Sequence, residues 1–237
     1  LLILNLGVDS ENTSLAFTQK WINDISLNYD AVDVLTMKAG STYQLNKNVN
    51  LFFINDQNTN YTKIYQLRKL NKLTRKLIKN NNYTHCFAHM APMQHLVAKF
   101  YLIQKNIKTT LWFTHSGPKF GIKWLILWFS SLLANNIVTA SKHSFPFRFK
   151  KVKCIGHGIN FDNFFIERKT FQLKNISILS RVSKSKNIEN TIDNIIKCKN
   201  FEKINIDVIG GTLNIEDESY LNKLFIKYKN FKNINFL

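Results

Sequence analysis

Short apolar runs alternate with longer stretches of helical spacing along the chain, and this alternation sets the expected fold class. Residues 1–6, LLILNL, read as a buried strand closed by Gly7, and NTSLAFTQKWINDIS follows with Leu15, Phe17, Trp21, Ile22 and Ile25 at helix-like spacing. AVDVLTM (31–37) and VNLFFI (49–54) are two more strand-like runs. Residues 60–79 predict the clearest amphipathic helix. Leu67, Leu70, Leu73, Leu77 and Ile78 fall on one side, and Arg68, Lys69, Lys72, Arg75, Lys76 and Lys79 on the other. HCFAHM (85–90) and TTLWFTHSG (109–117) read as strands with one helix, PMQHLVAKFYLIQKN, between them. FGIKWLILWFSSLLAN (120–135) is apolar on nearly all sides and too short to span a bilayer. Burial is the expectation for it, although Trp124, Trp128 and Phe129 would also suit a helix lying at a membrane interface.

Further along, NNIVTASKHSF ends a strand-like run at Ser141, and KVKCIGHGINFDNF (151–164) ends one at Gly156 and Gly158. FIERKTFQLKN then lacks any period and marks a boundary, which gives domains 1–165 and 166–237. Beyond it the pattern predicts strand 176–180, helix 187–199, strand 204–209, a turn at Gly210 and Gly211, helix 217–229 and strand 233–237. Strands alternating with helices in this way predict an α/β chain of parallel sheets.

Hydrophobic residues at 45% and aromatic residues at 13% exclude a disordered chain. The 33 Lys and Arg against 15 Asp and Glu invite a nucleic-acid or anionic-membrane partner. Heavy joint use of Lys, Asn and Ile, as AT-rich coding produces, supplies part of that excess. The basic side of the 60–79 helix reads first as the solvated face of an outer helix and second as a peripheral membrane contact. Cys86, Cys154 and Cys198 are odd in number and far apart, which fits a reducing cytoplasm better than a disulfide framework or a zinc knuckle. A metal site from His85, Cys86, His89 and His95 is disfavoured, because His85 and Cys86 would point to opposite faces of a strand and no carboxylate supports them. No charged leader with a cleavable apolar stretch is present, and Leu1 already lies in a strand-like run, so the natural start is expected upstream.

The stretch ISILSRVSKSKNIENTI (176–192) carries the chemistry. A strand leaves the sheet, passes Arg181 and Lys186, and enters a helix whose N-terminus favours a phosphate, so the two cations would flank it. His89 and His115 each end an apolar run, near the carboxyl edge of a sheet where open α/β folds bind ligands.

LWFTH, TASKHSF, CIGHGINFDNF, ILSRVSKSKN and DVIGG, in this order and spacing, resemble the landmarks of the retaining, nucleotide-sugar-dependent glycosyltransferases of family 4. The resemblance implies the GT-B fold: two Rossmann-like domains with parallel sheets, the second one incomplete here. It implies an N-terminal acceptor-side domain and the first part of a C-terminal nucleotide-sugar domain. Arg181 and Lys186 match the basic pair that holds the donor diphosphate, with Lys184 as the stand-in should the register shift. His115 matches the catalytic N-domain histidine, and Gly210 and Gly211 match the turn that admits the donor nucleotide. His89, Gly158 and Asn160 would line the cleft. The implied reaction moves a sugar from a nucleoside diphosphate sugar to a glycan or lipid-linked acceptor, with no metal or other cofactor, in surface polysaccharide biosynthesis. The implied place is the cytoplasm, at the inner face of the membrane, with no nucleic acid as partner. The sequence departs from the family in having Ser180 and Asn187 where glycines flank the basic pair, Asn160 for an Asp, and only Gly7 in the first loop. The family's E-x7-E segment would lie beyond Leu237, so a fragment not competent alone is expected. The alternatives are a truncated inactive relative that only binds a sugar nucleotide or a partner, and a basic nucleic-acid-binding protein that uses the 60–79 helix.

Overall fold

The computed structural model describes residues 1–12, 15–42, 45–55, 61–158 and 174–237. The chain divides into two compact units, Leu1–Ile159 and Asn160–Leu237. The boundary expected at residue 165, and Asn160 with it, lie outside the described residues.

The first unit is a seven-stranded parallel sheet: β1 (Leu2–Val8), β2 (Val32–Ala39), β3 (Val49–Asn55), β4 (His85–His89), β5 (Lys108–Trp112), β6 (Asn136–Thr139) and β7 (Val152–Cys154). The spatial order is β3-β2-β1-β4-β5-β6-β7, so β1 pairs with β2 on one side and β4 on the other. The near-continuous apolar run of β1 follows from burial on both faces. Leu2 and Leu4 belong to one core and Leu1 and Ile3 to the other. α1 (Phe17–Ser26) covers the second face through Ile22, while α2 (Lys63–Asn80), α3 (Pro92–Gln104) and α4 (Ile122–Leu133) pack on the first. Thr62 caps α2 by accepting from the Tyr65 N–H at 3.3 Å, and Pro92 opens α3 where its missing N–H costs nothing. Burial along α2 begins only at Leu70, so Leu67, expected on the inner side, is exposed.

α4 departs from the expectation of burial. Its inner side is Leu127, Ser130 and Ser131, whereas Ile122, Leu125, Phe129, Leu132 and Leu133 face outward. The small inner residues follow from what α4 packs against. Ser130 Oγ lies 2.8 Å from Nδ1 of His95 on α3, and Ser131 donates to the Leu127 carbonyl at 2.6 Å. His95 is fully buried, and burial pushes its imidazole down to about 4, with Lys99 and Lys151 adding to the shift. Among the described residues its Nε2 has no hydrogen-bond partner. No helix among the described residues is long and apolar enough to cross a membrane.

The second unit has three parallel strands, β8 (Asn175–Leu179), β9 (Asn205–Ile209) and β10 (Ile234–Phe236), in the order β10-β9-β8. α5 (Ile188–Ile196) and α6 (Ile215–Tyr228) share one core with it, centred on Ile188, Ile192, Ile206, Val208 and Leu224. Lys227 ties the two helices together by reaching Glu189 at 2.9 Å and Asp193 at 2.7 Å. Cys86 is buried, which pushes its thiol up to about 12, while Cys154 in the first unit and Cys198 in the second are exposed.

His95 makes stability depend on pH. Its folded-state value lies below the unfolded one, so the unfolded chain binds the extra proton between about pH 6.5 and 4, and stability falls as pH falls through that window. Denaturant unfolding at pH 7 and pH 5 should show the loss, with a slope of up to about 1.4 kcal/mol per pH unit from this one group. His95→Gln should flatten the profile by that amount. An unchanged slope would show that His95 takes up its proton without loss.

Candidate nucleotide-sugar site

Strand order reverses between β1 and β4, and in an open parallel sheet the crevice at the carboxyl ends of such a pair is where ligands bind. His89, the last residue of β4, sits there. Its Nδ1 lies 3.2 Å from Oδ1 of Asn5 on β1, so the pair spans the reversal. Asn5 is itself buried and held, donating to the Gly7 carbonyl at 2.8 Å and accepting the Leu6 N–H. Rings surround His89: Trp21 at 4.8 Å between centroids, Phe17 at 6.0 Å and Trp112 at 6.4 Å. Burial among them pushes the imidazole down to about 4, so it is neutral at pH 7.

Trp112 extends the edge from β5 to the loop after β7, where the His157 ring lies 6.0 Å away and its Nε2 is 3.5 Å from Thr114 Oγ1. His157 stands within CIGHGINFDNF, where sequence reasoning did not single it out. Thr114, which it meets, is 43 positions earlier in the chain. His115 occupies the loop after β5, exposed, with its ring edge-on to Phe113 at 6.3 Å. Among the described residues it is not part of the His89–Trp112–His157 set of ring contacts. Gly158 is exposed with open space where a Cβ would stand. His85, Cys86, His89 and His95 do not converge. His85 reaches Thr110, Cys86 is in the core and His95 turns to Ser130.

In the second unit the carboxyl ends of β8 and β9 are locked together. Ser180 N–H donates to the Ile209 carbonyl at 3.1 Å, and Val182 N–H to that of Gly211 at 3.0 Å. Gly210 has φ +147°, and a Cβ on it would collide with the Ser180 carbonyl. At Gly211 a Cβ would meet open space, so of these two positions the chain's own packing requires glycine at Gly210 and not at Gly211.

Arg181 follows Ser180 at this edge, exposed, with Nε 3.7 Å from Oδ2 of Asp217 in the first turn of α6. Asp217 is nearly buried and also accepts the Leu213 N–H at 3.3 Å, so it holds the guanidinium and the loop after β9 together. Sequence reasoning missed Asp217, which lies 36 positions from its partner. Lys184 and Lys186 are exposed on a single 3₁₀ turn, Lys184–Lys186, that leads into α5. Asn187 next to it adopts the left-handed region at φ +54°, a conformation that asparagine tolerates better than most residues other than glycine. The first turn of α5 is partly engaged already, since the Glu189 N–H donates to Tyr220 Oη at 3.1 Å.

A cavity of about 590 Å³ lies at the opposite edge of the first sheet, lined by Leu1, Asp33, Asn50, Asn81 and Tyr83 among others. The Asp33 carboxylate there is already satisfied, accepting from Asn50, Asn81 and Tyr83. The strands begin at that edge, which makes it a poorer ligand site than the carboxyl edge.

No family model matches the chain, and no curated protein matches it in sequence. Solved structures match it over its whole length. HepE of Anabaena in complex with UDP is 15% identical with a TM-score of 0.69, the match covering 69% of that chain. A glycosyltransferase of Rickettsia africae is 14% identical at 0.66, with 67% of it covered. The UDP-GlcNAc 2-epimerase of Methanocaldococcus jannaschii is 11% identical at 0.58, with 72% covered. The fold is GT-B-like. The seven-stranded and three-stranded parallel sheets are its two Rossmann-like parts.

The two glycines of the GT-B-like second unit should separate cleanly by mutation. Gly210→Ala should cost roughly 1–3 kcal/mol of unfolding free energy, from strain against Ser180, while Gly211→Ala should stay within about 0.5 kcal/mol of wild type. Denaturant unfolding of both variants checks this. Equal stability of the two would mean that the β8 and β9 ends relax freely.

Proposed function

We propose that the protein binds a nucleoside diphosphate sugar and transfers the sugar, with retention, to a glycan or lipid-linked acceptor. The observation that carries this reading is the placing of Arg181, braced by Asp217, and Lys186 around the β8-to-α5 turn at the carboxyl edge of a parallel sheet. Arg181 would grip two diphosphate oxygens and Lys186 would add a point charge. As the bond between the sugar and the diphosphate breaks, negative charge grows on the leaving oxygen, and these cations take it up without a metal ion. Gly211, which the packing leaves open, would let the backbone approach the nucleotide. His115 would face the reacting sugar, with His89 and Gly158 lining the acceptor-side edge. Asn160, which belongs to the same reading, lies outside the described residues.

The HepE structures with UDP and with UDP-glucose support UDP as the first nucleotide to try. Calorimetric titration of the 237-residue chain with UDP should give a measurable affinity. Arg181→Ala should weaken it about 10–100-fold, as removal of one charge-assisted hydrogen-bonding partner does. Gly211→Ala should weaken it too while leaving the fold intact. An Arg181→Ala affinity within about two-fold of wild type would remove Arg181 from the donor site. The match to the epimerase favours one other activity, so incubation with UDP-GlcNAc alone, followed by analysis of the sugar, distinguishes epimerisation from transfer to an added acceptor.

A further inference from the structure

The positive charge of this chain is not spread along it. Residues 57–161 contain 17 of the 33 Lys and Arg and none of the 15 Asp and Glu. The remaining residues are close to neutral. Coding bias would act on every part of the chain alike, so it does not explain this segregation. The described part of the segment includes α2, α3 and α4, which form one layer on one face of the first sheet, with α3 packed against both neighbours.

α2 turns its cations outward, as a helix facing water does, but α4 and part of α3 do not follow that pattern. α4 turns Ser130 and Ser131 inward and presents Leu125, Phe129 and Leu132 outward, each close to half exposed. Phe100 and Ile103 of α3 are 65% and 60% exposed. Phe100 lines a groove of about 420 Å³ whose rim carries Arg75 and Lys79 from α2 and Lys105 just beyond α3. Apolar side chains therefore stand directly beside cations, with no carboxylate anywhere in the layer.

We propose that the α2–α3–α4 face is a docking surface for an anionic lipid bilayer. α4 and Phe100 would enter the boundary between headgroups and acyl chains, and the cations of α2 would pair with lipid phosphates around them. Charge complementarity selects this occupant over the others. A second copy of the chain would bring two faces of the same sign together. A nucleic acid would use the cations but leave the aliphatic stripe of α4 in water. A bilayer takes both. The proposal does not depend on the nucleotide-sugar reading, since none of these residues belongs to the β8-to-α5 turn or to the β1–β4 crevice.

Flotation of the 237-residue chain with vesicles tests it. One set is phosphatidylcholine alone, and the other is two parts phosphatidylcholine to one part phosphatidylglycerol. The chain should float with the anionic set and stay behind with the neutral one. The fourfold variant Arg68→Gln, Lys72→Gln, Arg75→Gln, Lys79→Gln should lose up to about a thousandfold in vesicle affinity. The threefold variant Leu125→Gln, Phe129→Gln, Leu132→Gln should lose the part of binding that survives high salt. Both variants alter solvent-facing positions, and unchanged circular dichroism would show that they fold. Equal flotation with the two vesicle sets, or none with the anionic set, overturns the proposal. So does a wild-type dimer that the threefold variant makes monomeric, or duplex DNA binding that vesicles do not displace. UDP affinity should be the same in both variants, so failure here leaves the donor site standing and failure there leaves this surface standing.

Discussion

Parallel pairing of β1 with β2 on one side and β4 on the other is the constraint on which the first unit depends. A parallel pair cannot be closed by a tight turn, so each connection must cross over the sheet, and every strand then ends at the same edge. The helices divide between the two faces accordingly, α1 on one and α2, α3 and α4 on the other. Chain direction reverses its progress across the sheet at β1, and the loops after β1 and β4 diverge there. The crevice that holds Asn5 and His89 is thus a product of topology before it is a product of any side chain. Its aromatic walls then keep His89 uncharged by withholding water from it.

The second unit solves a related problem by close packing. Its β8 and β9 ends are held so tightly that only glycine fits at position 210, and the hydrogen bonds from Ser180 and Val182 make the two loops a single piece. Asp217 then couples that piece to α6 through both Arg181 and the Leu213 N–H. A guanidinium left unbraced on such a loop would sample many rotamers. Braced, it has less entropy to lose on meeting an anion.

The elements were legible because most strands are buried on at least one face and each helix keeps an apolar side, so periodicity records both. Nearly every strand begins and ends within a residue or two of its expected place. Pairings between distant positions leave no such record. Asn5 meets His89 across 84 positions and Arg181 meets Asp217 across 36, and no local pattern encodes either. α4 shows a different limit. A segment apolar all round carries no periodic signal of which side faces the core, and here two serines took the inner side because His95 offered one of them a partner. His157 stood in plain view within CIGHGINFDNF, but its bearing on Trp112 exists only once β5 and β7 lie near each other at the same edge.

The three thiols of this chain make a built-in labelling scheme. Cys86 is sealed in the core with its thiol pushed up to about 12, so it stays protonated and inert under conditions where a surface thiol reacts. Cys154 ends β7 in the first unit, and Cys198 lies just past α5 in the second, both exposed. One maleimide reaction on the unmodified sequence therefore puts a single reporter on each unit. A fluorophore pair or two spin labels at these positions would report the distance between the units, and any change in it when a nucleotide is added, without a single engineered residue.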